Sequence, residues 1–183
     1  MKDLSLHILD LVQNSIDAKA TVVEISVIED EEKDWLTIKI SDNGKGIESQ
    51  TIDKVTDPFY TTRTTRKVGL GLPLFKAAAE RCGGSFSIRS RLNVGTCIEA
   101  NFILSHVDRP PFGNLAETLI AVIVCNPCID IVYVHKTNHG LFTLDTRKIR
   151  DKITGIPIEH PDVIDWIRSY IDEGLEEING GVD

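Results

Sequence analysis

The strongest constraint on what this chain can fold into is a short stretch, Asp42-Asn43-Gly44-Lys45-Gly46-Ile47, closing an apolar run. Trp35 to Ser41 alternates as a β-strand and delivers a carboxylate at its end. That acid can accept a hydrogen bond from an amino group, and the glycines permit positive φ and let a planar ligand lie against bare backbone. Alone, the stretch is equally an ordinary turn, because Asp-Asn-Gly is turn chemistry in any context. Its weight comes from "LDLVQNSIDA" (Leu9 to Ala18) upstream and from "DPFYTTR" (Asp57 to Arg63) and "VGLGLPL" (Val68 to Leu74) downstream. Four such stretches in one order within ~100 residues are hard to assemble by chance.

The 183 residues, with 42% hydrophobic and 26% charged side chains, suffice for one sizeable core, or for one domain and a small appendage. No apolar run approaches the ~20 residues that span a bilayer, and Met1-Lys2-Asp3-Leu4 does not open a signal peptide, so a cytoplasmic protein is expected. Cys82, Cys97, Cys125 and Cys128 do not make a disulfide framework. A net charge of -8 argues against nucleic acid or an anionic membrane as partner. The acidity is uneven: residues 105–183 carry 7 Lys and Arg against 13 Asp and Glu, and residues 1–104 carry 13 against 15. The first part can therefore receive a polyanion, and Arg63, Arg66 and Lys67 give it a basic spot.

Leu4, Ile8, Leu11 and Val12, with Ser15 and Ile16, predict an amphipathic helix over 3–18, with His7, Asp10, Asn14 and Asp17 along its polar side. Thr21 to Glu29 and Trp35 to Ser41 read as strands around an acidic turn, which suggests a helix packed on an antiparallel or mixed sheet. Ser49 to Val55 reads as a short helix and Thr56 to Lys67 as loop. A helix follows from Gly69 to Cys82, with Pro73 tolerated in its first turn. Strands over 85–90 and 96–104 close the first domain, residues 1–104. Arg109-Pro110-Pro111 links it to a small α/β region, 105–183, with a helix near 115–123, a hairpin around Asn138-His139-Gly140, a short helix over 145–153 and a longer one opened by Pro161.

As chemistry, Asp42 can accept from the exocyclic amine of adenine and disfavours guanine, whose keto oxygen would face it. Gly44 and Gly46 keep the pocket wall flat. A triphosphate needs a divalent ion with oxygen ligands, for which Asn14 offers one neutral oxygen. Gly69-Leu70-Gly71 precedes a helix whose free N–H groups can hold phosphate oxygens, and Arg63, Arg66 and Lys67 can neutralise the outer phosphates.

Over residues 1–104 this arrangement resembles the ATP-binding domain shared by gyrase-type topoisomerases, Hsp-type chaperones, histidine kinases and MutL-type repair proteins, the GHKL superfamily with its Bergerat fold. The resemblance implies a two-layer α/β sandwich of the α+β class, with helices on one face of a mixed sheet, and ATP and Mg as cofactors. It makes Asn14 the Mg ligand, Asp42 the adenine reader and Thr96 its assistant. Gly44 and Gly46 line the base pocket, and Gly69, Leu70 and Gly71 start the helix at the phosphates. Asp10 stands where relatives commonly carry a glutamate general base and is one methylene shorter, which puts hydrolysis in question.

"NSIDAKA" is similar to the repair-protein and gyrase branch, whereas "DPFYTTR" followed closely by "GLGL" is similar to histidine kinases. Five residues between Arg63 and Gly69 are too few for a long lid, so the kinase branch is favoured. Lys67-Val68 and Pro73 depart from its pattern. His7 is expected to be a local hydrogen-bonding residue on the polar face, not a phosphoacceptor, so a kinase of this kind would act on a partner protein in trans. A non-catalytic ATP sensor and a slow ATPase coupled to a partner's assembly stand as alternatives. Cys125, Cys128, His135 and His139 outline a Cys2His2 zinc site, against the plainer reading of Asn126-Pro127 as a helix stop. Cys82, Cys97, Trp166 and Tyr170 are expected in the core, with a docking face as the sharper reading for the last two.

Overall fold

In the computed structural model, described for residues 3–52, 54–56 and 70–180, a six-stranded mixed sheet runs in the order β3-β4-β2-β1-β5-β6. The chain enters through α1 (Leu4–Asp17), whose N-cap Asp3 accepts from the Leu6 amide. The hairpin of β1 (Val22–Asp30) and β2 (Trp35–Asp42) follows, then one helical turn, α2 (Ser49–Ile52). Next come α3 (Gly71–Arg81), β3 (Ser85–Arg91) and β4 (Gly95–Ile103). The remainder supplies α4 (Leu115–Cys125), β5 (Asp130–Lys136), β6 (Leu141–Asp145), α5 (Thr146–Lys152) and α6 (Pro161–Ile178).

The period of two sorts each strand into a covered and an open face. Val23, Ile25 and Val27 of β1, Leu36, Ile38 and Ile40 of β2, Ile98, Ala100 and Phe102 of β4, and Ile131 and Tyr133 of β5 are buried, and their sequence neighbours are not. Above that face α3, α1, α4 and α6 lie side by side in this order. The expected sandwich, with helices on one face of a mixed sheet, is therefore the architecture observed. Among the described residues no helix is long and apolar enough to cross a membrane.

The chain beyond Leu104 continues the same sheet. β5 lies parallel to β1, with Val23 opposite Ile131 and Val27 opposite His135, and β6 pairs antiparallel at the edge. The Pro110-Pro111 segment caps the first helix: Pro111 and Phe112 carbonyls accept from the amides of Leu4 and Ser5, two of the donors a helix start leaves unpaired. The short segment from Thr137 is held by a hydrogen bond from its hydroxyl to the Ile178 carbonyl of α6. Two sections of different sequence character are thus joined by one sheet and one helix layer.

Four expectations need correction. His7 is 2% exposed, packs against Phe75 with ring centroids 5.3 Å apart, and leaves Nδ1 without a partner among the described residues; the packing of α3 on α1 has taken it off the polar face. Cys97 lies half-buried on the open face opposite Ser41, because its parity in β4 opposes that of Ile98; Cys82 is fully buried. Trp166 and Tyr170 are exposed, since the apolar stripe that packs is Val163, Ile167 and Ile171. The zinc outline does not assemble: Cys125 and Cys128 are exposed, while His135 is buried and bonded to Tyr133 and Glu29.

Candidate functional site

Asp42 ends β2 on the same parity as Ile38 and Ile40, so its side chain points under the helices. There Ser15 of α1 donates to Oδ2 at 2.7 Å and the Gly44 amide donates to Oδ1 at 2.8 Å. A carboxylate offers about four lone-pair directions, so two bonds orient the group and leave acceptor capacity for a ligand. Ser15 shares the spacing of the apolar face, and there, buried, it holds this acid.

The strand pairing extends the polar row sideways. Thr96 is directly opposite Asp42, and Ser90 is directly opposite Thr96. The Ser90 and Thr96 hydroxyls are 2.8 Å apart, and Ser90 Oγ also accepts from the Ile47 amide at 2.8 Å. Ser90 therefore ties the segment after β2 to β3. No motif in the sequence marked Ser90, and its parity with Ile88 in β3 was the available signal.

The chain after Asp42 is held against its surroundings. Lys45 donates its amide to the Ala18 carbonyl at 2.9 Å, and its own carbonyl accepts from the Asn93 amide at 2.7 Å. Immediately after these bonds Gly46 takes φ +67, and a Cβ there would run into the Arg91 carbonyl, so the position requires glycine on both counts. A cavity of about 390 Å³ opens beside this segment, lined by Ile47, Glu48, Ser90, Arg91 and Leu92 among others.

On the other side of Ser15, α1 carries Asp10 and Asn14 toward the start of α3. A Cβ on Gly71 would fall 2.5 Å from Asp10 Oδ2 and 3.7 Å from Asn14 Nδ2. Glycine at the first residue of α3 therefore lets the helix start approach both polar side chains. Leu70 immediately precedes it, exposed, with no side-chain cap on the helix; the leading amides are donors suited to anionic oxygen. Asp10, Asn14, Asp42, Gly44, Gly46, Leu70, Gly71 and Thr96 are thus arranged along one path, from the Asp42 row to the α3 start. Arg63, Arg66, Lys67 and Gly69 lie outside the described residues.

The path fits a nucleotide with a metal-bound phosphate chain on the chemistry of its donors and acceptors. A carboxylate with unused acceptor capacity suits an amino-bearing base, open helix amides suit phosphate, and an amide and a carboxylate on one helix side suit a hard cation.

Residues 2–106 match the family described as "Histidine kinase-, DNA gyrase B-, and HSP90-like ATPase". The chain is 35% identical over 98 residues to a probable C4-dicarboxylate sensor kinase of Halalkalibacterium halodurans, covering 51% of this chain and 18% of that protein. It is 36% identical over 110 residues to sensor protein kinase FleS of Pseudomonas aeruginosa, covering 60% and 27%. The chain thus spans only a small part of these relatives. In fold it is similar to a MutL ATPase domain of Aquifex aeolicus, solved complexed with ADP, at TM-score 0.57 and 18% identity, covering 84% of this chain and 68% of that one. That coverage exceeds what residues 1–104 could supply, so the shared fold reaches beyond them.

Proposed function

Because the chain belongs to the histidine kinase-, DNA gyrase B- and HSP90-like ATPase family, we propose that it binds Mg-ATP along the path from Asp42 to Gly71 and transfers the γ-phosphate to a partner protein. The observation that carries this reading is Asp42 itself, a half-buried carboxylate fixed by Ser15 and the Gly44 amide with acceptor capacity to spare. In it, Asp42 reads the adenine amine, Gly44 and Gly46 lie along the base, and Thr96 completes that side. Asn14 holds magnesium, which supplies charge neutralisation for the phosphates. Arg63, Lys67, Gly69, Leu70 and Gly71 hold the phosphate chain, and Asp10 accepts the proton of the attacking group. The setting is cytoplasmic, and residues 105–183 recognise the partner.

The length of Asp10 favours a second reading. A carboxylate one methylene short of the usual glutamate reaches less far toward a nucleophile, which suits a module that binds ATP and presents a nucleotide-dependent surface without consuming it.

Incubation with γ-labelled ATP, alone and with cell lysate, separates the readings. Label on another protein is the expected result; free phosphate alone indicates an ATPase, and tight binding with neither indicates the sensor. Asn14→Ala should weaken Mg-ATP binding more than binding of metal-free ATP, and equal losses would remove Asn14 from the metal.

A further inference from the structure

The last helix presents a surface that the nucleotide path does not use. Trp166 and Tyr170, four residues apart on α6, stack with ring centroids 5.4 Å apart and planes 6° apart. They remain 47% and 38% exposed. Tyr170 is fixed from below, its ring tilted on Phe142 at 5.3 Å and its hydroxyl donating to the Thr143 carbonyl of β6 at 3.0 Å. The helix is anchored independently of these rings through Val163, Ile167, Ile171 and Ile178. The pair is the only stacked pair of aromatic rings among the described residues.

The charged side chains on this side of the helix are acidic. Steps of four, four, three and four place Asp162, Trp166, Tyr170, Glu173 and Glu177 on one ridge, and Asp165, Asp172 and Glu176 on the ridge beside it. All six carboxylate residues are exposed. The one basic residue of the helix, Arg168, is engaged by Glu117 of α4. An aromatic face ringed by carboxylates attracts a cation that can also stack, which is the behaviour of guanidinium. Nucleic acid and anionic lipid would be repelled. A second copy docking the same face on itself would oppose carboxylate to carboxylate.

We propose that the outer face of α6 docks an arginine-rich segment of a partner protein, with a guanidinium stacked on the Trp166–Tyr170 pair and flanking arginines paired to Asp165, Glu173 and their neighbours. It gives a surface to the partner recognition assigned above to residues 105–183, yet it does not depend on ATP, so it is tested without nucleotide and stands or falls separately from the Asp42 path.

The test is fluorescence anisotropy of a labelled arginine–glycine repeat peptide titrated with the full chain. Saturable binding that weakens with salt is expected. Trp166→Ala should weaken it about fivefold, Trp166→Tyr should restore most of the loss, and Asp165→Lys with Glu173→Lys should weaken it further and flatten the salt dependence. The proposal is overturned if Trp166→Ala and Trp166→Tyr both bind as the unmodified chain does. It is also overturned if reversing Glu80 and Asp108, on the α3 side of the helix layer, costs as much as reversing Asp165 and Glu173. Equal affinity for a glutamate–glycine repeat, or a dimer that Trp166→Ala converts to monomer, would do the same.

Discussion

Asp42, Ser15, Thr96 and Ser90 form one polar cluster on the helix-covered face of the sheet, and Glu29, His135 and Tyr133 form another, on β1 and β5, toward the opposite end of the same sheet. Asp42 is opposite Val23 near the start of β1, while Glu29 lies near its end. In the second cluster the Tyr133 hydroxyl is 2.9 Å from His135 Nδ1, and His135 Nε2 is 2.7 Å from Glu29 Oε1. With the Glu29 carboxylate accepting from Nε2–H, a neutral imidazole leaves Nδ1 to accept from the tyrosine. Both imidazole nitrogens are then used, the Phe112 ring lies 5.7 Å from His135, and burial pushes the Tyr133 hydroxyl well above its ordinary pKa. The Asp42 carboxylate is held by Ser15 and the Gly44 amide, beside glycine backbone with no side chain in the way. Burial of polar groups is common to both; only one of them lies beside glycine backbone and the path to the α3 start.

Three experiments would break or sharpen that contrast. Asp42→Asn exchanges a charged acceptor for an amide and should cost about 2 kcal/mol of ATP binding, roughly thirtyfold in affinity, with adenine selectivity lost and the melting temperature little changed. Calorimetric titration with ATP and GTP reads this directly, and an unchanged ATP affinity would sink the pocket assignment. Glu29→Leu should behave in the opposite way. It leaves the His135 Nε2–H unpaired and should cost about 1.5 kcal/mol of stability in denaturant unfolding, while the folded protein binds ATP as before. If ATP affinity fell with it, the two clusters would not be independent.

The smallest effect concerns His7, a third buried polar group with neither a closed network nor a ligand path. Burial lowers its pKa from 6.5 to about 4. The unfolded chain therefore takes up a proton at a higher pH than the folded one. The stability that accompanies neutral His7 is fully present above pH 6.5 and is lost as pH falls toward 4. Between pH 7 and pH 5.5 the loss from this group is about 1 kcal/mol, and His7→Phe should flatten that part of the profile in urea titrations. A profile unchanged by the substitution would assign the acid sensitivity elsewhere.

Much of this molecule was readable because its periodicities are regular. Leu4, Ile8, Leu11 and Val12 define a helix in any sequence, and the alternation from Trp35 to Asp42 both defines a strand and sets which way Asp42 points. The helix expected over Gly69 to Cys82 is α3, Gly71–Arg81, with Pro73 in its first turn, where its backbone demand is local. What failed did so where identity and environment part company. His7 is polar by type, but α3 covers it. Trp166 is apolar by type, but Val163, Ile167 and Ile171 already fill the packing stripe. Ser15 and Ser90 are small residues whose function exists only because strand register and helix packing bring them to Asp42 and Thr96.

By itself the sequence determined the order of the elements, the family motifs and the parity that turns Asp42 inward, because these depend on dihedral preference and short-range periodicity. Only the tertiary structure decided that β5 and β6 extend the first part's sheet, since strand pairing joins residues about a hundred positions apart. It also decided which buried polar groups are closed upon one another and which remain open, because a hydrogen-bond partner is a matter of position in space.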